Sequence, residues 1–429
     1  MKKIRIGLIG WGTVGTGVLK ILRKNGGLIS ERLGAELEVA RIADTDLSRP
    51  RKIRVRRSLL TADAAEVVAD PSIDVVVELI GGLEPAGSYI LGALKAGKYV
   101  VTANKAVLAR RGRSIFRAAA SSSREVFFEA SVGGAIPVVK GLREGLAANR
   151  ITSILGIVNG TTNYILSRMT DEGLSMDAAL DEARVLGYAE PDPSLDLAGL
   201  DSAHKLVILA SLAFGAWLDY RKVLVEGIGG VTSEDILYTG ELGYTVKLLA
   251  IAKDGPAGIE MRVHPTLIPR HHLLASVSGV LNAVYLDGDF SGQSMFYGQG
   301  AGEGPAASAV VADLIEAGRM ILGKAVPSAG VPLGRRLPRL LPVGDIECSH
   351  YLRLQAVDRP GVLARIASIL AARGIGIASV IQRGRREKGA VPVIIMTHRA
   401  LEARMNSALK EIKALSVIKE PPVRIRVER

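Results

Sequence analysis

The sequence predicts an α/β fold: a parallel sheet wound with helices first, an α+β region second, and a small βαββαβ unit last. Three observations predict it. An almost wholly apolar run at 4–9 leads through Gly10-Trp11-Gly12-Thr13-Val14-Gly15 into a helical pattern, and further strand and helix patterns alternate up to Lys105. A second glycine-rich loop at 297–305 leads into another long helical pattern. Beyond a stretch rich in Pro, Gly and Arg, residues 351–427 read as strand, helix, strand, strand, helix, strand.

Composition narrows the function classes. The 429 residues are 48% hydrophobic and 23% charged, the ordinary mix of a soluble globular chain of about two to three domains. Lysine and arginine exceed the acids by 12, which admits an anionic partner. Residues 350–429 hold 16 of those bases against 6 acids, so the excess belongs mainly to the last module. Without aromatic platforms or a recognition motif, it does not predict nucleic-acid binding. The only cysteine, Cys348, excludes a disulfide framework and a cysteine-based zinc site. No apolar run approaches the ~18–20 residues of a spanning helix, so no membrane association is expected. The opening MKKIRIGLIGWG meets glycines too soon for a signal peptide. A cytoplasmic setting is expected.

The first strand, 4–9, is apolar on both faces, as a buried parallel strand requires. In G-x-G-x-x-G the first glycine makes the turn, the second lets backbone approach a pyrophosphate, and the third lets helix pack on strand. The helix-start amides then face the phosphates. This predicts a Rossmann-type dinucleotide-binding domain. The second strand, 38–43, ends at Asp44, further from the loop than usual, with 26–34 read as an insertion. Asp44 suits a ribose hydroxyl and so NAD. Arg49, Arg51 and Lys52 suit a 2′-phosphate and so NADP. A strand at 73–80, a helix at 85–96 and a strand at 98–102 follow. Lys105 then stands at the carboxyl edge of the sheet, where such folds bind ligands.

From Glu129 the pattern becomes irregular. Gly133-Gly134 beside Pro137 turns carbonyls away from any ladder, in a form that can hold a monovalent cation. A strand at 151–158 ends in Asn159-Gly160-Thr161-Thr162-Asn163, a capped helix start with polar groups to offer. Two prolines are expected to keep 187–196 extended before a helix at 199–214. On that helix Asp201 and Lys205 share a face. A partly desolvated lysine there is suited to proton transfer, and Glu190 and Asp196 are suited to an amine-bearing substrate. His204 reads as structural. No strand is expected to lead cleanly into the second glycine loop.

Taken together, GLIGWGTVGTGV, VVVELIGG, TANKA, FEASVGGAIP, NGTTNYIL, GYAEPDPSLDLAGLDSAHKLVILA and GQGAGEGPAASAVVADLI resemble the homoserine dehydrogenases over nearly all of 1–321. The resemblance implies interconversion of L-homoserine and L-aspartate 4-semialdehyde by hydride transfer with NADP or NAD, in threonine and methionine biosynthesis. It implies that Gly10, Trp11, Gly12, Thr13, Val14, Gly15 and Asp44 hold the dinucleotide, with Gly302 at the later helix start. Thr102, Lys105 and Gly187 would lie near its nicotinamide end. Glu190, Asp196 and Asp201 would hold homoserine, helped by Thr161 and Tyr188. Lys205 would exchange the hydroxyl proton, with Lys105 and Asp201 also catalytic. Glu129, Val132, Gly134 and Ile136 match the family's loop for Na+ or K+. The family's middle domain also pairs through a sheet, implying a homodimer or higher homo-oligomer. Many bacterial members carry an arginine just before Asp-Leu-Ser; Thr45 stands there in this chain, so the resemblance leaves NAD and NADP open.

The turn Asp358-Arg359-Pro360-Gly361-Val362-Leu363 resembles an ACT domain, a ferredoxin-like amino-acid-binding module. It implies feedback control, with threonine the expected effector; a passive dimerisation role is the alternative. The expected organisation is a dinucleotide-binding domain over 1–135 completed by a helix at 303–322, a catalytic and dimerisation domain over 136–302, a linker over 323–349 and the ACT module over 350–429. An inactive amino-acid- or nucleotide-sensing protein is the competing reading. The Glu190, Asp201 and Lys205 set favours the enzyme. The lone cysteine, outside the catalytic region, argues against acyl-enzyme chemistry.

Overall fold

Gly10 has φ +103°, and a Cβ there would lie 2.8 Å from the Leu79 carbonyl carbon, so only glycine lets the chain turn off the first strand at this point. A Cβ on Gly15 would lie 2.3 Å from the Gly10 carbonyl oxygen, so the following helix seats directly on the turn. The glycine pattern therefore has the mechanical basis its spacing predicted.

The computed structural model describes residues 1–325, 338–383 and 389–428. Residues 326–337 of the expected linker, and Arg385, Arg386 and Lys388 of the basic hairpin, lie outside the described residues. The early elements are β1 (Lys3–Ile9), α1 (Thr13–Leu33), β2 (Glu36–Ala43), β3 (Leu60–Thr61), α2 (Ala64–Ala69), β4 (Val75–Glu78), α3 (Ala86–Lys95), β5 (Tyr99–Thr102), α4 (Lys105–Ser121) and β6 (Val126–Phe127). Next come α5 (Val138–Lys140), β7 (Ile151–Ile157), α6 (Gly160–Glu172), α7 (Met176–Val185), α8 (Ser194–Leu197) and α9 (Leu200–Ala213). They are followed by β8 (Leu224–Val225), α10 (Ser233–Glu241), β9 (Tyr244–Gly255), β10 (Gly258–Pro269), β11 (Leu281–Gly288), β12 (Gly292–Gln299) and α11 (Glu303–Ile321). The last are β13 (Glu347–Val357), α12 (Val362–Ala372), β14 (Ile377–Gln382), β15 (Ala390–Thr397), β16 (Ala400–Leu401), α13 (Glu402–Lys413) and β17 (Val423–Val427).

Contacts divide the chain into two units. One takes the described residues of Met1–Val158, His204–Arg221 and Asn282–Pro338; the other takes those of Asn159–Ala203, Lys222–Leu281 and Arg339–Arg429. In the first, six strands run parallel in the order β3-β2-β1-β4-β5-β6. The order reverses between β1 and β4, the position where such sheets bind ligands. Its core is aliphatic, with Ile4, Ile6, Leu8, Val75 and Val77 packed under Val18 and Leu33 of α1 and Val310 and Leu314 of α11. Each such side chain contributes about 1.5–3 kcal/mol on burial. Gly17 lets α1 and α11 close together, since a Cβ there would meet the Glu303 carbonyl oxygen at 2.7 Å.

The 26–34 stretch lengthens a helix: α1 runs through Gly26-Gly27 and stops at Gly34, whose φ of +77° closes the last turn by bonding Ser30. Two local expectations are corrected. A strand, β12, does lead into the second glycine loop. The proline segment is not extended throughout, because the chain coils into α8 just after Pro193. Proline tolerates that position, where its missing N–H would be unsatisfied in any case.

In the second unit β9 pairs antiparallel with β10 over 12 residue pairs. On the other side of β10 lies β17, in parallel, through Thr266–Arg426 and Leu267–Val427. Strand β17 pairs antiparallel with β13, which pairs with β15, and β15 with β14. The C-terminal βαββαβ unit thus continues the β9–β10 sheet. Its own core is Leu352, Leu354, Ile366, Leu370, Ile395, Met405 and Ile412. Among the described residues no helix is long and apolar enough to cross a membrane.

Candidate active site

The carboxyl ends of β1, β2, β4 and β5 carry the residues expected on the dinucleotide side. Gly12 is exposed, and a Cβ built on it meets nothing within 4 Å, so backbone at the start of α1 is open to a pyrophosphate. Asp44 faces the same loop: its Oδ2 accepts the Trp11 N–H at 2.7 Å and its Oδ1 accepts that of Asp46 at 2.9 Å. Arg51 lies 3.2 Å from that Oδ1, donates from Nε to the Trp11 carbonyl at 2.8 Å, and stacks 4.2 Å over the Trp11 ring. The loop therefore presents an acid and a base side by side at the point where a ribose hydroxyl or 2′-phosphate would be read.

Glu78, at the end of β4, is fully buried and was not anticipated. Its Oε2 accepts the Thr102 hydroxyl at 2.7 Å, and its Oε1 accepts the N–H groups of Ile80 and Gly81 at 3.0 and 3.3 Å. Asn104 Nδ2 donates to Gly82 at 2.8 Å, while its Oδ1 caps α4 by accepting the Val107 N–H. Lys105 is the first residue of that helix and is half-buried. Burial pushes the Glu78 carboxyl above the usual carboxylate range, while the surrounding donors pull against it. Thr102 is thereby held by the buried acid, and Lys105 follows the Asn104 cap.

The acid cluster belongs to the other unit. Asn159 donates one N–H of its amide to Asp196 Oδ1 at 2.7 Å and the other to Asp201 Oδ2 at 2.9 Å. Its Oδ1 accepts from Thr162 and caps α6. One amide thus brackets two carboxylates from separate helices, α8 and α9. Thr161 donates from Oγ1 to the Tyr188 carbonyl at 2.7 Å, and the Tyr188 ring lies 5.0 Å from that of Tyr164. Glu190 is exposed, as is Gly187, which closes α7 with φ +74°.

Lys205 lies four residues after Asp201 on α9. It is 8% exposed, and its Nζ donates to the Val158 carbonyl at 2.6 Å. The Lys205 side chain is thus largely shut off from water. The His204 ring packs 5.0 Å from that of Tyr220, tilted by 48°.

Comparison with known proteins decides what this collection is. Residues 137–315 match the profile of homoserine dehydrogenase, residues 10–129 that of the homoserine dehydrogenase NAD binding domain, and residues 350–417 that of the ACT domain. A homoserine dehydrogenase of Pseudomonas aeruginosa is 47% identical over 437 aligned residues, covering 100% of both chains. The crystal structure of one from Thiobacillus denitrificans is 46% identical, covers 100% of this chain and 99% of that one, and superposes with a TM-score of 0.93. A hyperthermophilic archaeal homoserine dehydrogenase in complex with NADPH is 27% identical, covers 73% of this chain and 97% of that one, and has a TM-score of 0.62.

The chain belongs to the homoserine dehydrogenase family.

As a homoserine dehydrogenase with an ACT domain, it is an oxidoreductase with a nucleotide-binding domain whose glycine loop has the open backbone such a cofactor needs. The 129–136 turn, expected from the resemblance to hold a cation, lies in the first unit. Gly133 and Gly134 have φ +75° and +56°, and a Cβ on Gly134 would lie 2.6 Å from the Gly300 carbonyl oxygen, so bare backbone is required there. The Glu129 carboxylate is turned to the N–H groups of Val139 and Lys140, at 2.9 and 2.8 Å. The Glu129 N–H donates to buried Asp313 on α11 at 2.9 Å. Burial, with Glu129 nearby, pushes the Asp313 carboxyl well up. Val132, Gly134 and Ile136 are buried in the same turn. The carbonyls of Glu129 and Ile136 accept from Val132 and Val138, and each keeps a second lone pair.

Two residues that organise these candidate groups were not singled out from the sequence. Asn159 was visible as a helix cap, but its carboxylate partners lie 37 and 42 residues away. Glu78 sat at the end of an apolar strand, and a buried acid in such a run was the available signal.

Proposed function

We propose that Lys205 is the proton-transferring group of homoserine oxidation and that Glu190, Asp196 and Asp201 hold the substrate ammonium. The bound dinucleotide supplies the hydride acceptor, or the donor in the reverse direction. Lys205 accepts the hydroxyl proton or returns it, and its desolvation favours that exchange. Asn159 keeps Asp196 and Asp201 together, which concentrates negative charge for an amine. Thr161 and Tyr188 shape the same wall. Thr102 and Lys105, fixed by Glu78 and the Asn104 cap, orient the nicotinamide end, while Gly10 to Gly15 and Gly302 offer backbone to the phosphates.

The observation that carries this reading is the single Asn159 amide bracketing two acids, the second of them one helical turn before a buried lysine. Asp201→Asn is expected to raise the homoserine KM about 100-fold, with the dinucleotide Kd unchanged. An unchanged homoserine KM would remove Asp201 from the substrate site.

The same reading extends to partners. Na+ or K+ is held by backbone oxygens of Glu129, Val132, Gly134 and Ile136, and its exchange for a bulky organic cation lowers the thermal midpoint. Threonine binds the ACT module and lowers activity. The enzyme is cytoplasmic and a homodimer or larger, which sedimentation tests. Turnover assays with NAD and NADP, each with and without threonine, separate the cofactor and effector assignments.

A further inference from the structure

The last strand reaches the substrate acids through two residues that no motif marked. Arg426 on β17 is 1% exposed and grips Glu226 with both terminal nitrogens, at 2.7 and 2.9 Å. Arg424 adds a contact to Glu226 at 3.0 Å. Behind them Glu402 accepts from Arg426 Nε at 2.6 Å and from Arg424 at 3.0 Å, so the two arginines are themselves fixed. Bidentate pairing of this kind fixes direction as well as distance. Glu226 in turn is locked along its backbone, with its N–H on the Val263 carbonyl at 2.8 Å.

The next residue is Gly227. A Cβ on it would lie 2.2 Å from the Leu197 carbonyl oxygen and 2.7 Å from the Ala198 Cα, so its backbone is pressed against the end of α8. Gly199 closes the other side, with Glu226 O 3.5 Å from its Cβ position. Asp196 is the residue just before Leu197, and its carbonyl accepts the Gly199 N–H at 2.9 Å. Every link from Arg426 to Asp196 is thus a direct hydrogen bond, a peptide bond or a van der Waals contact.

We propose that Glu226 and Gly227 are positioning residues through which the C-terminal strand sets the Asp196 turn, and with it the affinity for the substrate amine. This rests on the assignment of Asp196 to the substrate. It adds that the regulatory module contributes to the ground-state site by mechanical support, and that a displacement of β17 is felt first as a change in substrate binding.

Steady-state kinetics of the full-length chain test it. Gly227→Ala forces α8 outward and is expected to raise the homoserine KM about 10-fold or more, since displacements near 1 Å are costly at a site. Glu226→Gln, which keeps size but weakens the arginine grip, is expected to raise it by a smaller factor. In both, kcat and the dinucleotide KM stay within about two-fold, a split that general destabilisation does not produce. Combined, the two substitutions give less than the product of their separate effects, because both act on one turn. Asp196→Asn is the reference. If it raises the homoserine KM while Gly227→Ala and Glu226→Gln do not, the strut is refuted and the substrate assignment stands. If Asp196→Asn leaves the KM unchanged, the assignment fails and the proposal with it.

Discussion

Asn159 illustrates how one side chain can fix a charge arrangement. Its amide has two N–H groups and one oxygen, and cap and carboxylates use all three. Asn159→Ala is expected to cost about 1–3 kcal/mol of stability, from the lost cap and the unpaired acids. It should also raise the homoserine KM, since the acids are then free to separate. Urea unfolding beside steady-state kinetics checks both; a stability loss with an unchanged KM would leave the residue a cap alone.

Lys247 gives a residue-scale test against pH. It is 3% exposed on β9 and donates to the Val277 carbonyl at 2.6 Å and to Asn163 Oδ1 at 3.2 Å. Burial pushes its pKa down to about 8. An unfolded lysine titrates near ~10.4, so between those values the unfolded chain binds more protons than the native one. Stability from this group therefore rises with pH through the window, by up to about 3 kcal/mol, and the penalty is full below it. Relative to a Lys247→Met variant, the native chain should gain unfolding free energy between about pH 8 and about pH 10. A difference that stays flat across the window would contradict a desolvated ammonium.

Among the elements, those with local causes were legible. Strand β1, its glycine turn and helix α1 were readable because apolar run, turn chemistry and helical period agree within about 20 residues. The βαββαβ order of the last module was readable for the same reason. The α8 turn was not, because proline statistics favour extended chain while Pro193 here opens a helical turn. The parallel pairing of β17 with β10 was also beyond reach, since nothing local marks it. The same holds for the candidate site: the shared helix face of Lys205 and Asp201 is legible in the sequence, whereas Glu226 and Arg426 are 200 residues apart. An arginine in a terminal strand reads as solvated until its buried partners are seen.

Element packing also makes a stability prediction. Arg353 of β13 donates from Nε to Asp235 Oδ1 at 2.7 Å, and Tyr351 donates to the same oxygen at 3.0 Å. Asp235 is fully buried and closes the capping box of α10 with Thr232. Arg353→Met would leave that acid short of its cation, which costs about 3–5 kcal/mol when a buried pair is broken. Thermal unfolding should show the loss in α10 and β13 together. A loss under about 0.5 kcal/mol would mean the pair is solvated.

At the scale of the whole molecule, the C-terminal module is not an appendage on the β9–β10 sheet. It supplies the strand that covers β10, and its arginines neutralise Glu226. A chain ending before residue 339 would bare the β10 edge and leave Glu226 without its cations, so it should aggregate or fold poorly. Recovery of a soluble, fully active truncated chain would show that the sheet tolerates the loss.

The buried Lys205 on α9 is the proposed proton carrier in homoserine oxidation. Its most direct test is nicotinamide absorbance with homoserine for Lys205→Met, beside dinucleotide binding by the same variant. Turnover is expected to fall at least about 1,000-fold, with the dinucleotide Kd unchanged. Turnover within about 10-fold of the native chain would contradict it.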